Sequence, residues 1–254
     1  AEARDPEFQP RTPEQMRKWA IRGPDNAMDC HFAALEGGMM AVGGGGHFAP
    51  AKPGDDIAYF HFYVRPEYLD SAEEGAVFEQ IRDALSAKGA RRINMRANTT
   101  NLPKVDMLKR IGFRENDYQR HHMERSPLGV PEPVVPEGFI LRNARMPEEM
   151  EKLLETNNEA YSTRNIRPAT LDEFRGYPYL NDPEFLPGLF VMERVSDGRI
   201  IGWVGSQVEH AYNSLHGRRR GSSYALVVIP SVRGMGIGRA LLQSSLRWIA
   251  SRGM

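Results

Sequence analysis

Apolar residues along the chain fall into two periods, alternating or continuous runs that suit strands and three-to-four-residue spacing that suits helices. Thr12 as N-cap, with Pro13 and Glu14 in the first turn, predicts a short opening helix. Asp29 to Leu35 and Met39 to Gly43 read as two strands that meet at Gly37-Gly38 as a hairpin. The tetraglycine Gly43 to Gly46 is followed by no helical pattern, so it reads as a bulged or flexible strand end and not as a phosphate cradle. Ile57 to Val64 is a third, aromatic strand. Beyond it Val77, Phe78, Ile81, Ala84 and Leu85 form one face of an amphipathic helix closed by Lys88-Gly89. A strand at Arg92 to Ala97, a short helix ending in Met107 to Phe113 and a last strand near Tyr118 to Glu124 complete this half.

The second half repeats that order. Phe139 to Arg142 reads as a strand, and Met150, Leu153 and Leu154 mark a helix that starts near Pro147. Phe190 to Val195 and Ile200 to Gly202, turning at Asp197-Gly198, answer the first hairpin. A strand from Ser206 to Tyr212 and the apolar run Ala225 to Ile229 follow, with Arg218-Arg219-Arg220 in the hairpin between them. Pro230 answers Pro66, and Leu241, Leu242, Ser245, Trp248 and Ile249 answer the helix face that begins at Val77, both at an offset of 164 residues. Ile166 to Phe174 echoes Phe8 to Met16 at an offset of 158. Elements in one order with a slowly drifting offset indicate two copies of one domain separated by loop insertions.

Four prolines between Ser126 and Gly138, at 127, 131, 133 and 136, place the boundary. The division expected is a first domain over 1–126, a Pro-rich linker over 127–138 and a second domain over 139–254. The fold class expected is α/β, each domain a mixed, mostly antiparallel sheet flanked by helices. In the repeat alignment the first copy continues through residues 91–126 after its long helix, while the second stops where that helix ends. The chain therefore reads as cut at both ends. The natural protein is expected to continue past Met254 with a strand, a helix carrying a Tyr or equivalent acid, and Gly-Phe before another strand. Until that segment is present, the edge of the Ala225 to Ile229 strand should stand open or be covered by a second copy of the chain in a homodimer.

Chemistry concentrates at Arg233-Gly234-Met235-Gly236-Ile237-Gly238-Arg239, between a buried strand and a helix. Glycines let a ligand approach the backbone, and a helix start offers unpaired N–H groups and a partial positive charge, which together suit an anion. A Walker loop would need Gly-Lys-Ser/Thr where Gly238 is followed by Arg239 and Ala240. A dinucleotide fingerprint would need an acidic residue about 20 positions on, beyond the last residue.

The stretch resembles the acyl-CoA pyrophosphate loop, Gln/Arg-x-x-Gly-x-Gly/Ala, of the GNAT superfamily of N-acetyltransferases, matched by Arg233, Gly236 and Gly238 and supported by the Val228-x-Pro230 lead-in. The resemblance implies two tandem GNAT-like domains. It also implies acetyl-CoA as co-substrate, bound by Leu226, Val227, Val228, Arg233, Gly234, Met235, Gly236, Ile237, Gly238 and Arg239. A backbone N–H near Val228 would polarise the acetyl carbonyl. Candidates for the base that takes the amine's proton are Glu209, His210 and Tyr224. Arg218 to Arg220 suit a solvated turn, or a contact for an acidic substrate or the CoA 3′-phosphate. In the first copy Leu69-Asp-Ser-Ala-Glu-Glu74 brings three carboxylates to the corresponding place, and a like charge at about 4 Å costs roughly 1 to 4 kcal/mol. That copy should not hold CoA. It carries the family's Tyr-x-x-Leu-Gly-Phe signature as Leu108-Lys-Arg-Ile-Gly-Phe113, without the tyrosine, and reads as a scaffold or a wall of the substrate cleft.

Bulk properties narrow the partners. The 254 residues carry a formal net charge of zero, which favours neither nucleic acid nor an anionic membrane. No apolar run approaches the length of a membrane span, and the single cysteine, Cys30, suits a reducing, cytoplasmic setting. His121-His122 lie next to one another on an expected strand, pointing to opposite faces, so no metal is expected. The partner expected is a small-molecule or peptide amine.

Overall fold

A computed structural model describes residues 30–48, 56–116, 123–163 and 168–254, which fall into two units, 1–122 and 123–254. The helix expected from Thr12, the Phe8 to Met16 echo and His121-His122 lie outside the described residues, as does most of the strand expected at Tyr118 to Glu124.

In the first unit the strands β1 (Cys30–Glu36), β2 (Met39–His47), β3 (Ile57–Val64) and β4 (Arg92–Asn94) form one sheet in that order. The first three run antiparallel, and β4 joins β3 in parallel over Ile57 to Tyr59. β4 is three residues long, shorter than the six expected, because it pairs only along that stretch. The tetraglycine is no loose strand end. Gly43 to Gly46 pair with β1 on one side and β3 on the other. The helix α1 (Ala72–Ala87) explains the composition, since a Cβ at Gly44 would meet Ile81 Cδ1 at 2.7 Å and one at Gly46 would meet Leu85 Cδ1 at 2.7 Å. Bare backbone lets α1 lie close to the sheet and bury Val77, Ile81 and Leu85. A second helix, α2 (Leu102–Arg110), packs Met107 and Leu108 into the same core.

The second unit has a sheet of four antiparallel strands in chain order, β5 (Phe139–Asn143), β6 (Phe190–Arg194), β7 (Arg199–Val208) and β8 (Gly221–Val228). Helices cover both faces, so β7 is buried continuously from Ile200 to Ser206. On one face α3 (Met150–Tyr161) and α4 (Leu171–Arg175) pack Leu153, Ala160 and Phe174 against Val191, Ile200, Trp203 and Val227. On the other, α6 (Ile237–Ser251) packs Ile237, Ala240 and Leu241 against Met192, Ile201, Val204 and Ile229. α5 (His210–His216) connects β7 to β8. The Pro-rich stretch lies against this unit. Val130 is buried, its carbonyl accepts from Arg247 Nη1 at 3.0 Å, and Val135 packs on the α6 core.

α5 corrects the strand expected from Ser206 to Tyr212. β7 ends at Val208, and His210 to His216 coil into two turns closed by Gly217 in the left-handed conformation. Val208 and Tyr212 gave the segment a strand-like look, but a short apolar stretch does not separate the two periods. Arg218 to Arg220 accordingly lead out of a helix and do not sit in a tight hairpin.

Candidate functional site

The site grows from an irregularity in β8. Trp203 pairs with Val227 and Gly205 with Tyr224, so β8 uses three residues where β7 uses two, and Ala225 takes the extra step at φ 52°. This bulge puts Tyr224, Ala225 and Val227 together in the core beneath α3 and α4, and turns Val228 toward the α6 face. Ile229 N–H bonds Ile201 O at 3.0 Å. Successive backbone groups of a strand point alternately, so the N–H and C=O of Val228 face the outer edge of β8, away from β7. The carbonyl accepts from Arg233 Nε at 3.0 Å, and the N–H remains presented at that edge.

The loop follows at once. A 3-10 turn, Pro230–Val232, leads to Gly234 at φ 85° and Gly236 at φ 88°, values where any side chain strains the backbone. Gly236 is the N-cap of α6 and supplies no side-chain cap, and the first turn holds no acidic residue. The first helical bond to form is Ala240 N–H to Gly236 O. The N–H groups of Gly234 to Arg239 take no protein acceptor among the described residues. Donors at the positive end of a 15-residue helix suit a phosphate-sized anion. Arg239 lies exposed in the first turn, and Met235 is exposed at the loop's tip. At Gly238 a Cβ would meet only Val228 Cγ2, at 3.8 Å, an ordinary contact.

Of the three base candidates, the fold brings two together. Glu209 is the N-cap of α5 and is buried, and Tyr224 reaches it from β8 with its hydroxyl donating to Oε1 at 2.5 Å. Burial pushes the Tyr224 phenol well above its ordinary range, and the negative charge and acceptor oxygen of Glu209 push it further. Gln207 Nε2 also donates to Glu209 Oε1, at 3.4 Å. His210 stands apart, exposed and paired with Glu184 Oε1 at 2.7 Å. Beneath Tyr224 the rings of Tyr179 and Tyr177 continue a parallel stack at 5.5 and 5.4 Å, with Trp203 beside Tyr179. Sequence reasoning passed over this wall; the alternation Tyr177-Pro178-Tyr179 is the signal that could have found it.

Arg218 to Arg220 lie at the other end of α6 from the loop. Gly221 packs on Ile249, close enough that a Cβ would meet Cγ2 at 2.6 Å. Gly236 stands 13 residues earlier in sequence, about 20 Å along the helix at 1.5 Å per residue. A 3′-phosphate held near that loop is out of their reach. Arg220 instead stacks over Tyr212 at 4.7 Å and pairs with Glu124.

The first unit shows the same turn with different chemistry. Its 3-10 turn Pro66–Tyr68 is followed by Asp70 at φ 66°, the position answering Gly234. There Ser71 caps α1 by accepting from Glu74 N–H at 3.1 Å. The buried Glu74 carboxylate accepts from Asp70 N–H at 2.8 Å and from Arg110 Nη2 at 2.5 Å. The chain's own carboxylate occupies the turn.

Residues 150–254 match the model of the acetyltransferase (GNAT) family. The chain is 29% identical over 219 residues to a mycothiol acetyltransferase of Mycobacterium marinum, covering 81% of this chain and 64% of that protein. Among solved structures it resembles a GCN5-related N-acetyltransferase from Sphaerobacter thermophilus, with a TM-score of 0.60 at 17% identity over 94% of this chain and 73% of that one. It also resembles a tandem GNAT protein from the clavulanic acid biosynthesis pathway, with a TM-score of 0.59 at 13% identity over 97% and 78%. These likenesses show an α/β fold of tandem GNAT type, an organisation similar to that of mycothiol synthase. The chain spans from 42% to 64% of the length of three mycothiol acetyltransferases it matches. No helix among the described residues is long and apolar enough to cross a membrane.

Proposed function

We propose that the second unit binds acetyl-CoA and that the protein transfers the acetyl group to a primary amine of a small molecule or peptide. The observation that carries this reading is the run of unpaired N–H groups from Gly234 to Arg239, directly beyond the outward-facing N–H of Val228. The loop suits the pyrophosphate, and the strand edge suits the thioester carbonyl, whose developing negative charge Val228 N–H would stabilise. Leu226 and Val227 line the same strand. In the reaction the amine nitrogen bonds the thioester carbon, the carbon–sulfur bond breaks, the amine loses a proton and the thiolate gains one.

A primary amine with a pKa of about 10.4 is free base in fewer than about one molecule per thousand at pH 7, so the proton needs an acceptor. Glu209 is suited to that role and Tyr224 to orienting it, because a phenol with a raised pKa stays protonated. Because of the bulge, Tyr224 and Val228 lie opposite Gly205 and Gly202, three strand steps or about 10 Å apart. An acceptor amine near the thioester would therefore reach Glu209 through water or from a substrate extended along β8. That same separation favours a second reading, a non-catalytic acyl-CoA-binding module. The relatives are named for mycothiol; the reading here stays at the level of an amine. Calorimetric titration with CoA should show binding, and thiol release across a panel of amines should show turnover. Binding without release from any amine would select the binding module, and no binding would remove both readings.

A further inference from the structure

Arg233 holds the position that the family's loop pattern marks, yet its guanidinium faces protein. Nε donates to Val228 O at 3.0 Å and Nη2 to Ala160 O at 2.6 Å. Both acceptors are backbone carbonyls at the margin of secondary structure. Val228 O points off the outer edge of β8. Ala160 lies in the last turn of α3, where C=O groups lack intrahelical partners and a cation is favoured by the helix dipole. A planar fork with donors in fixed directions can serve both at once; a lysine ammonium on one flexible stem cannot hold the same pair of directions. The backbone of Arg233 itself leads into Gly234, so one side chain ties the start of the loop to a strand edge and a helix end. At the answering position in the first unit, Leu69 follows the same 3-10 turn with an apolar side chain that packs into the core, and no such tie exists there.

We propose that Arg233 is a positioning residue. It fixes the phosphate loop to β8 and to the C-terminal turn of α3, which keeps the Val228 N–H and the loop N–H groups at a constant spacing along one ligand. The inference rests on the reading of the second unit as an acetyl-CoA site and adds to it that the arginine acts through the backbone and not on the phosphates.

The test uses the full chain and its Arg233→Met, Arg233→Gln and Arg233→Lys variants, with two measurements on each. One is amide hydrogen exchange over residues 156–162 and 227–234; the other is calorimetric titration with CoA. Arg233→Met should speed exchange in both segments at least tenfold and weaken CoA binding at least tenfold, while Arg233→Lys, able to reach one carbonyl, should recover part of both. Arg233→Gln keeps a hydrogen-bond donor without the charge and gives a second removal should the methionine variant fold poorly. Weakened CoA binding with unchanged exchange would overturn the proposal in favour of direct phosphate contact. Faster exchange with unchanged CoA binding would overturn it by reducing Arg233 to a structural tie. A parent protein that binds no CoA would sink the acetyl-CoA reading, a result distinct from either, since exchange alone still reports whether the latch exists.

Discussion

Tyr224 and Glu209 share a 2.5 Å hydrogen bond although α5 and the return into β8 separate them in sequence. The bond joins a phenol held above its ordinary pKa, and so kept as a donor, to a buried carboxylate. Glu209→Gln should lower turnover by about 10²-fold or more while leaving CoA affinity within about twofold, as expected for loss of a general base. A Glu209→Gln protein with unchanged turnover would place the base elsewhere. The pair also has a signature in stability. A group whose folded pKa is raised contributes stability that is complete below its unfolded pKa, near 10 for tyrosine, and declines as pH rises toward the folded value. Denaturant titrations from pH 8 to 11 should therefore show the parent losing stability above pH 10 more steeply than Tyr224→Phe.

The two glycines of the loop should separate conformational strain from ligand approach. Gly236 sits at φ 88°, so Gly236→Ala should cost about 1 to 2 kcal/mol of stability, because a Cβ is disfavoured there. Gly238 has ordinary backbone and room for a methyl against Val228. Gly238→Ala should leave thermal stability nearly unchanged, and any loss of CoA affinity it shows then reports crowding of the ligand alone. Gly238→Asp adds a repelling charge and should weaken CoA at least tenfold, corresponding to about 1.4 kcal/mol or more. Undiminished binding of CoA by Gly238→Asp would remove the ligand from this loop.

Much of this was legible in residue order, and the exceptions have physical causes. Strands β1, β3, β5 and β6 and helix α1 follow from period and turn residues, because each has apolar residues bounded by a clear stop, whereas β2 runs four residues past its expected end because its tetraglycine resembles a loose strand end. The donors at the start of α6 follow from glycines ahead of a helical pattern. β8 was read four residues short at its start, since Gly221 to Ser223 are small and polar. Their side chains serve a local purpose: Ser223 and Ser206 hydrogen-bond Ser245 of α6 at 2.6 and 2.7 Å. His210 was grouped with Glu209 because neighbours in sequence look like neighbours in space. The helical turn sends one inward as a cap and the other outward to Glu184. Nor does any motif announce that Arg233 would spend its donors on carbonyls, which depends on where α3 ends.

Acid should release a strut at the start of α3. Glu149 is 3% exposed and receives Arg142 Nη1 and Nη2 at 2.8 and 2.7 Å, Arg145 Nη2 at 2.9 Å and the Arg145 N–H at 2.8 Å. Burial alone would push its carboxyl up, but these donors more than offset that and hold it at about 2. A depressed folded pKa contributes stability that is present above the unfolded value of 4.5 and is lost as pH falls toward 2. The parent should thus lose about 2 to 3 kcal/mol across that window, at 1.36 kcal/mol per pH unit. Glu149→Gln should be less stable at pH 7, with Arg142 left to Glu193 as its one carboxylate partner among the described residues, and nearly flat below pH 4.5. Parallel acid profiles for the two proteins would show that Glu149 does not govern this transition.

The number of CoA molecules held per chain follows from comparing Glu74 with Gly238, which occupy answering places 164 residues apart. In the second unit that place is bare backbone at a helix start with unpaired N–H groups before it. In the first unit it carries a carboxylate that is 2% exposed, accepts the Asp70 N–H and is locked by Arg110. Entry of a phosphate there would require breaking the pair between the buried Glu74 and the partly exposed Arg110, and then facing the exposed Asp70 and Glu73. Calorimetry on the intact chain should therefore give one CoA per chain. Gly238→Asp should weaken that binding at least tenfold and reveal no second site. The first unit's contribution is then mechanical, so Arg110→Met, which strips Glu74 of its partner, should lower the unit's thermal stability while CoA affinity stays within about twofold of the parent. A stoichiometry of two, or CoA binding that survives Gly238→Asp and disappears with changes at Asp70 or Glu74, would show that the first unit holds the ligand after all.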